Sequence, residues 1–199
     1  MQSLPIRRAI VSVTDKTGLA DFASFLARGG VQLVSTGGTE KALLAAGLAV
    51  TPVSAVTGFP EILNGRVKTL HPYIHGPLLA DKDNPEHLQT LAGLSLAPFD
   101  LVCVNLYDFA TAAAKGLDLR SAVEEIDIGG PTLLRAAAKN FHSVLVVPAV
   151  IHYGRVMDEL SGNGFSAGLS LRRQLAAETF ARVSAYDAMI ADYLKTHEA

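Results

Sequence analysis

The stretch Arg8-Ala9-Ile10-Val11-Ser12-Val13 runs straight into Thr14-Asp15-Lys16-Thr17-Gly18. A short β-branched apolar run predicts a strand buried on both faces. The hydroxyls, lysine and glycine after it predict a turn into a helix over 19–28. Gly29-Gly30 ends that helix, and the pattern repeats. Val31 to Val34 reads as a second strand, and Ser35-Thr36-Gly37-Gly38-Thr39 as a second turn before a helix over 40–46. Strand, turn and helix in succession describe an α/β fold with a parallel sheet. Both turns then lie beyond the carboxyl ends of their strands, on the rim where such sheets bind ligands. A helix N-terminus offers unpaired N–H groups and a favourable dipole to an anion. Thr14 or Asp15 acting as a plain helix cap explains the first turn alone equally well. Two hydroxyl- and glycine-rich turns on one rim make a phosphate cradle the better reading. The spacing is not that of a Walker loop.

The rest of the chain extends the same plan. Strands are predicted over 49–53, 99–106 and 143–147, and amphipathic helices within 81–94 and over 119–126, 132–139 and 150–160. A long helix follows over 169–195. The expected architecture is a three-layer αβα fold with a mostly parallel sheet of about five strands. Residues 1–199 would form one domain, with 169–196 as a long C-terminal helical segment and 162–168 the only plausible internal boundary. The chain is 49% hydrophobic and 18% charged, which is enough to fill a core. Its net charge of -2, without a Lys/Arg-rich run, speaks against broad nucleic-acid or anionic-membrane binding. The single cysteine, Cys103, sits inside an apolar strand and excludes an internal disulfide or a Cys-rich zinc site. No signal-peptide core and no membrane-length apolar run occurs, so a soluble, cytoplasmic protein is expected.

Three further stretches carry candidate chemistry. Gly65-Arg66-Val67-Lys68-Thr69-Leu70-His71-Pro72 packs two cations, a hydroxyl and an imidazole between apolar neighbours. If it is extended, Arg66 and Lys68 point the same way and can reach one anion together. An edge strand with solvated charges is the plainer alternative. His71 and His75 are spaced for a metal only on a helix, against which Pro72 and Pro77 speak, so no metal site is expected. Asn105 and Tyr107, at the end of a buried strand, suit a planar heterocycle, by hydrogen bonding and stacking. Asp127 and the Gly129-Gly130 amides would line the entrance to a helix with Pro131 at its start. Arg135 and Lys139 share a face of that helix.

Taken together, five stretches make the chain resemble the IMP cyclohydrolase domain family, the N-terminal domain of bifunctional purine biosynthesis proteins. They are Ser12 to Gly18, Ser35 to Thr39, Gly65 to Pro72, Asn105 to Tyr107, and Asp127 to Asn140. The resemblance covers essentially the full length. It implies a methylglyoxal-synthase-like fold and dehydrative ring closure of formamido-imidazole-carboxamide ribonucleotide (FAICAR) to IMP, without metal or other cofactor. It implies phosphate contacts from Ser12, Thr14, Lys16, Ser35, Gly37, Gly38, Thr39, Arg66 and Thr69, with Thr17 beside them. Around the base and the chemistry it implies Lys68, Asn105, Tyr107, Asp127, Ile128, Gly129 and Lys139. Of these, Lys68, Tyr107, Asp127 and Lys139 are the expected catalytic groups. Expected partners are a purine ribonucleotide, a second copy in a homodimer, and a fused or separate formyltransferase domain. Two departures from the family pattern are Thr14 in place of serine and Asp108 in place of the proline after the tyrosine. A phosphorylated-effector-binding module, or a methylglyoxal-synthase-type lyase, would explain the two turns but not the Arg66-to-His71 and Asp127-to-Lys139 stretches.

Overall fold

A computed structural model describes residues 1–106, 109 and 118–196. Five parallel strands form the central sheet in the order β4-β3-β2-β5-β6. They are β2 (Arg8–Ser12), β3 (Gln32–Ser35), β4 (Val50–Pro52), β5 (Leu101–Val104) and β6 (Leu145–Val147). Every residue of β5 and β6 is buried, which is why these strands read as continuous apolar runs rather than alternating ones. The chain leaves β2 for β3 on one side and later returns to place β5 on the other. The switch point therefore lies between β2 and β5, where open parallel sheets bind ligands.

Helices cover both faces, giving three αβα layers. Helices α1 (Leu19–Arg28) and α2 (Gly37–Ala45) follow β2 and β3, and α3 (Val53–Thr57) follows β4. Next come α4 (Pro72–Leu79), α5 (Pro85–Gly93), α6 (Leu119–Glu124) and α7 (Gly129–Lys139). Helix α7 lies on β5 and β6, and α4 packs beside it. After α8 (Tyr153–Gly162), which touches α1, comes the 28-residue α9 (Leu169–Thr196). Leu171, Leu175, Ala176 and Val183 of α9 are buried in the main core, so this helix packs onto α7 and β6. Its outer half builds a second small cluster in which Tyr186 and Tyr193 meet Phe109 and Ala122.

Three local features differ from the sequence expectations. First, Gly65 to Pro72 is not an extended strand. Leu63–Gly65 is a 3₁₀ turn in which Leu63 and Asn64 both take φ of 54°, and an Ile62–Val67 bridge closes the loop, leaving Arg66 at its tip. Second, Pro72–Leu79 is helical despite its two prolines. Pro72 occupies the first turn, where its missing N–H costs nothing, and the His71 ring accepts the Tyr73 N–H as a cap at 3.0 Å. Pro77 does forfeit a helical bond, but it is buried, and packing of α4 on α7 outweighs that loss. Third, β1 (Ser3–Pro5) and β7 (Ser166–Gly168) form a separate antiparallel ribbon that ties the amino terminus to the start of α9. Arg172, fully buried, reinforces that tie. Its guanidinium donates to the carbonyls of Met1 (2.7 Å), Gln2 (3.2 Å) and Phe141 (2.9 Å), and also to that of His142.

Candidate active site

The first turn is shaped by hydrogen bonds before any ligand is considered. Asn105, just beyond β5, accepts from the Thr14 N–H (2.7 Å), the Thr14 hydroxyl (2.9 Å) and the Asp15 N–H (3.1 Å). Its Nδ2 donates to the Asp15 carbonyl at 2.8 Å. The side chain expected to read a base is therefore spent on fixing the β2–α1 turn at the switch point. Asp15 in turn accepts the Thr17 N–H at 2.9 Å in a tight Asx turn, and the Thr17 hydroxyl, then its N–H, hold the Asp15 carboxyl below the ordinary carboxylate range. Lys16 is exposed and donates to the Thr14 carbonyl at 3.3 Å. Half-buried Ser12 ends β2 at the same rim.

The second turn divides its hydroxyls from its glycines. Ser35 is fully buried and donates to the Val11 carbonyl at 2.7 Å. Thr39 accepts the Val13 N–H and donates to the Val13 carbonyl, both at 2.9 Å. The Ser35 hydroxyl thus ties β3 to β2, and the Thr39 hydroxyl ties α2 to the end of β2. What remains open is the start of α2, where Thr36 caps without a side-chain bond and Gly37 and Gly38 occupy the first positions. Gly37 has φ of +58°, a conformation costly for any residue with a Cβ. A Cβ placed on Gly37 would stand 3.6 Å from Lys68 Nζ, and one on Gly38 would stand 3.9 Å from Lys16 Nζ. Two ammonium groups thus sit beside the free N–H groups of a helix N-terminus, an arrangement that attracts an anion. A cavity of about 260 Å³ adjoins this point, lined by Thr36, Gly37, Glu40, Ser54, Phe59 and Lys68 among others. Of these, Glu40, Ser54 and Phe59 were not singled out in the sequence, since no spacing links them to Lys68.

The other side of the site is the entrance to α7. Thr69 is buried, and a Cβ on Gly129 would lie 2.9 Å from its hydroxyl. Asp127 Oδ1 accepts the Gly130 N–H at 2.8 Å, and the Asp127 N–H donates to the Tyr186 hydroxyl at 2.8 Å. Burial pushes the Asp127 carboxyl above the ordinary carboxylate range, against the opposing pull of the Gly130 N–H and the Lys68 charge. Lys68 and Thr69 are consecutive, so their Cα atoms are about 3.8 Å apart. One therefore faces the start of α2 while the other touches the start of α7. Ile128, 58% exposed, borders the α7 entrance.

Two expected residues do not join this group within one chain. Arg66 turns away and pairs with Glu124 at 2.6 Å, with both side chains more than half exposed. Lys139 ends α7, so it stands about 15 Å along the helix axis from Gly129 at the entrance. The neighbouring Asn140 donates to the Leu78 and Ala80 carbonyls at the opposite rim, near Asp100, which accepts the N–H groups of Arg7 and Arg8 where the strands begin. Tyr107 and Asp108 lie outside the described residues. Cys103 is buried against the Tyr153 hydroxyl, and burial pushes its thiol up to about 12, far from a reactive thiolate. Among the described residues, no group of three or more His, Cys, Asp or Glu side chains is arranged to hold a metal ion. No helix among them is long and apolar enough to cross a membrane.

The MGS-like domain family matches residues 18–132, and the AICARFT/IMPCHase bienzyme family matches residues 137–199. The chain is 52% identical over 195 residues to the bifunctional purine biosynthesis protein PurH of Rhodospirillum rubrum, covering 98% of this chain and 37% of that one. It is 51% identical over 190 residues to PurH of Lactobacillus acidophilus, covering 95% of this chain and 37% of that one. The chain thus spans little more than a third of the length of these relatives, matching their N-terminal part. Among solved structures, ForH superimposes with a TM-score of 0.85 at 32% identity, over 95% of this chain and 97% of that one. The chain belongs to the MGS-like domain family, with the bifunctional purine biosynthesis proteins PurH among its relatives.

Proposed function

We propose that residues 1–199 form one IMP cyclohydrolase domain, which closes the second ring of a purine nucleotide. The observation that carries this reading is the placement of Lys68 and Thr69. Lys68 Nζ stands beside Gly37 in an anion-binding helix start and acts on the charge of Asp127, while Thr69 touches Gly129 beside that buried carboxyl. A ligand phosphate held by the start of α2 and Lys16 would extend its base past Lys68 toward the entrance of α7. The relatives' name, purine biosynthesis, supplies the substrate class.

In the reaction the carboxamide nitrogen of FAICAR attacks its formyl carbon, and the carbinolamine so formed loses one water to give IMP. Both groups belong to one molecule, and effective molarities for well-oriented intramolecular pairs reach roughly 10⁵–10⁸ M. The amide nitrogen is a weak nucleophile, so charge stabilisation and proton transfer are the remaining needs. Lys68 serves the developing oxyanion and the departing oxygen. Asp127, with its raised proton affinity, orients the carboxamide and takes its proton. Tyr107 holds a proton near the formyl oxygen. Lys139 acts as a second cation only if a second copy of the chain brings it to the site, consistent with the homodimer we infer. A formyltransferase domain, fused or separate, supplies the formylated substrate.

The test is to mix the purified chain with FAICAR in metal-free buffer and follow IMP formation by absorbance. Turnover by the wild type, with Lys68→Ala losing kcat far more than nucleotide affinity, supports the assignment. Tight IMP binding without turnover would refute it in favour of an effector-binding module.

A further inference from the structure

Asp127 is anchored at two points. Its carboxyl accepts the Gly130 N–H from α7, and its own N–H reaches across to α9, where the Tyr186 hydroxyl accepts it at 2.8 Å. Tyr186 is 59 residues away in sequence and only 4% exposed. Its ring sits in the second apolar cluster with Phe109, Ala122 and Tyr193, a cluster against which Leu106 and Ile126 pack. Ile128 gives the α7 entrance no side-chain cap, and the Asp127 carboxyl on the Gly130 N–H serves there instead. Burial pushes the Tyr186 phenol upward, and the charges of Asp127 and Asp187 add to that push, so it remains a neutral acceptor throughout the working range.

We propose that Tyr186 is a positioning residue for the ring-closing chemistry: from the terminal helix its phenol oxygen fixes the Asp127 peptide and thereby the place and hydration of the carboxyl. This rests on the functional reading above. Among the described residues, the charged and polar groups facing Asp127 are Lys68 from the 63–71 loop, the Gly129 and Gly130 N–H groups from α7, and Tyr186 from α9. Of these, Tyr186 acts through the backbone. Removing its oxygen therefore leaves the partners of the carboxyl in place while freeing the peptide that carries it.

The experiment compares Tyr186→Phe with Val183→Ala in the full chain. The phenylalanine keeps the ring and loses only the acceptor. Val183 is fully buried one turn earlier on α9, so its truncation loosens the helix without touching Asp127. For each protein, kcat and KM for FAICAR are measured across pH, and the Asp127 carboxyl is titrated by ¹³C NMR without ligand. Tyr186→Phe is expected to lower kcat about tenfold with KM nearly unchanged. It should also move the Asp127 titration and the matching limb of the rate profile to lower pH, as water reaches the freed carboxyl. Val183→Ala is expected to lower the melting temperature and leave both readouts alone. An unmoved Asp127 titration in active Tyr186→Phe, or the same shifts in Val183→Ala, overturns the assignment of Tyr186. An inactive wild type overturns the functional reading instead, and the titration separates the two failures.

Discussion

Adding one methyl group at Gly130 should disable the site while leaving the fold nearly intact. A Cβ at this position would lie 2.2 Å from Asp127 Oδ2, 2.9 Å from its Cγ and 3.2 Å from Leu106 Cδ2. Ordinary contact for a Cβ begins at 3.4 Å, so the carboxyl must retreat by roughly 1 Å, a displacement that strains or breaks the 2.8 Å bond from the Gly130 N–H. Hydrogen bonds to a charged acceptor contribute about 1.5–3 kcal/mol. Against that loss stands the helix propensity of alanine, about 1 kcal/mol better than glycine, which is available because Gly130 is not left-handed. The net cost is about 0.5–2 kcal/mol, a fall in Tm of a few degrees for a chain of this size. A misplacement of about 1 Å at a reacting group costs roughly 10²-fold in rate. Gly130→Ala is therefore expected to remain folded by calorimetry, to bind IMP through the distant α2 cradle, and to close FAICAR about a hundredfold more slowly. A soluble Gly130→Ala protein with wild-type turnover would show that the position of Asp127 at the α7 entrance does not govern the chemistry.

Three other perturbations probe separate parts of the site. Asp127→Asn keeps an acceptor for the Gly130 N–H but cannot ionise. The folded state raises the Asp127 pKa, so its favourable contribution is complete below the unfolded value of about 4 and is lost as pH rises through the folded value. The asparagine variant should accordingly be inactive yet melt higher than wild type near neutral pH, by on the order of 1 kcal/mol, with the advantage vanishing in acid; equal melting curves at every pH would contradict that sign. Arg66→Ala removes an exposed ion pair contributing about 0–1 kcal/mol and should leave Tm and IMP affinity little changed; an affinity loss above about tenfold would mean that the arginine leaves Glu124 for the phosphate. Lys68→Ala and Lys139→Ala, each inactive alone, should recover activity when mixed if two copies share a site. A Lys139→Ala protein that is fully active by itself would remove that lysine from the chemistry.

What was legible in the sequence follows the range over which each signal acts. The β2 and β3 runs and their turns are local patterns, and the structure has buried strands and helix starts where those patterns imply them. Lys68, Thr69, Asp127 and Gly129 stood out because polar groups interrupt apolar neighbours, although their meeting is a tertiary event. The direction of Arg66 was hidden, because it depends on Leu63 as well as Asn64 adopting left-handed backbone; an asparagine before glycine hints at such a turn, but a leucine does not. Asn105, Ser35 and Thr39 were visible as polar residues in the right turns. Whether a hydroxyl or amide faces a ligand or braces the turn that holds one is settled by partners far away in the chain. Tyr186 lay inside an apolar-periodic helix, where one more aromatic residue carries no mark of the peptide that it touches.

The tie between the two ends of the chain bears on how it comes off the ribosome. The strand Ser3–Pro5 pairs with Ser166 to Gly168, and the carbonyls of Met1 and Gln2 accept from Arg172. During synthesis that first segment must wait, as an unpaired strand, until most of the chain has emerged. The central strands can assemble earlier, since α1 and α2 close them over short loops, whereas the ribbon demands one of the longest loop closures available. Helix α9 thus secures residues made about 170 positions before it.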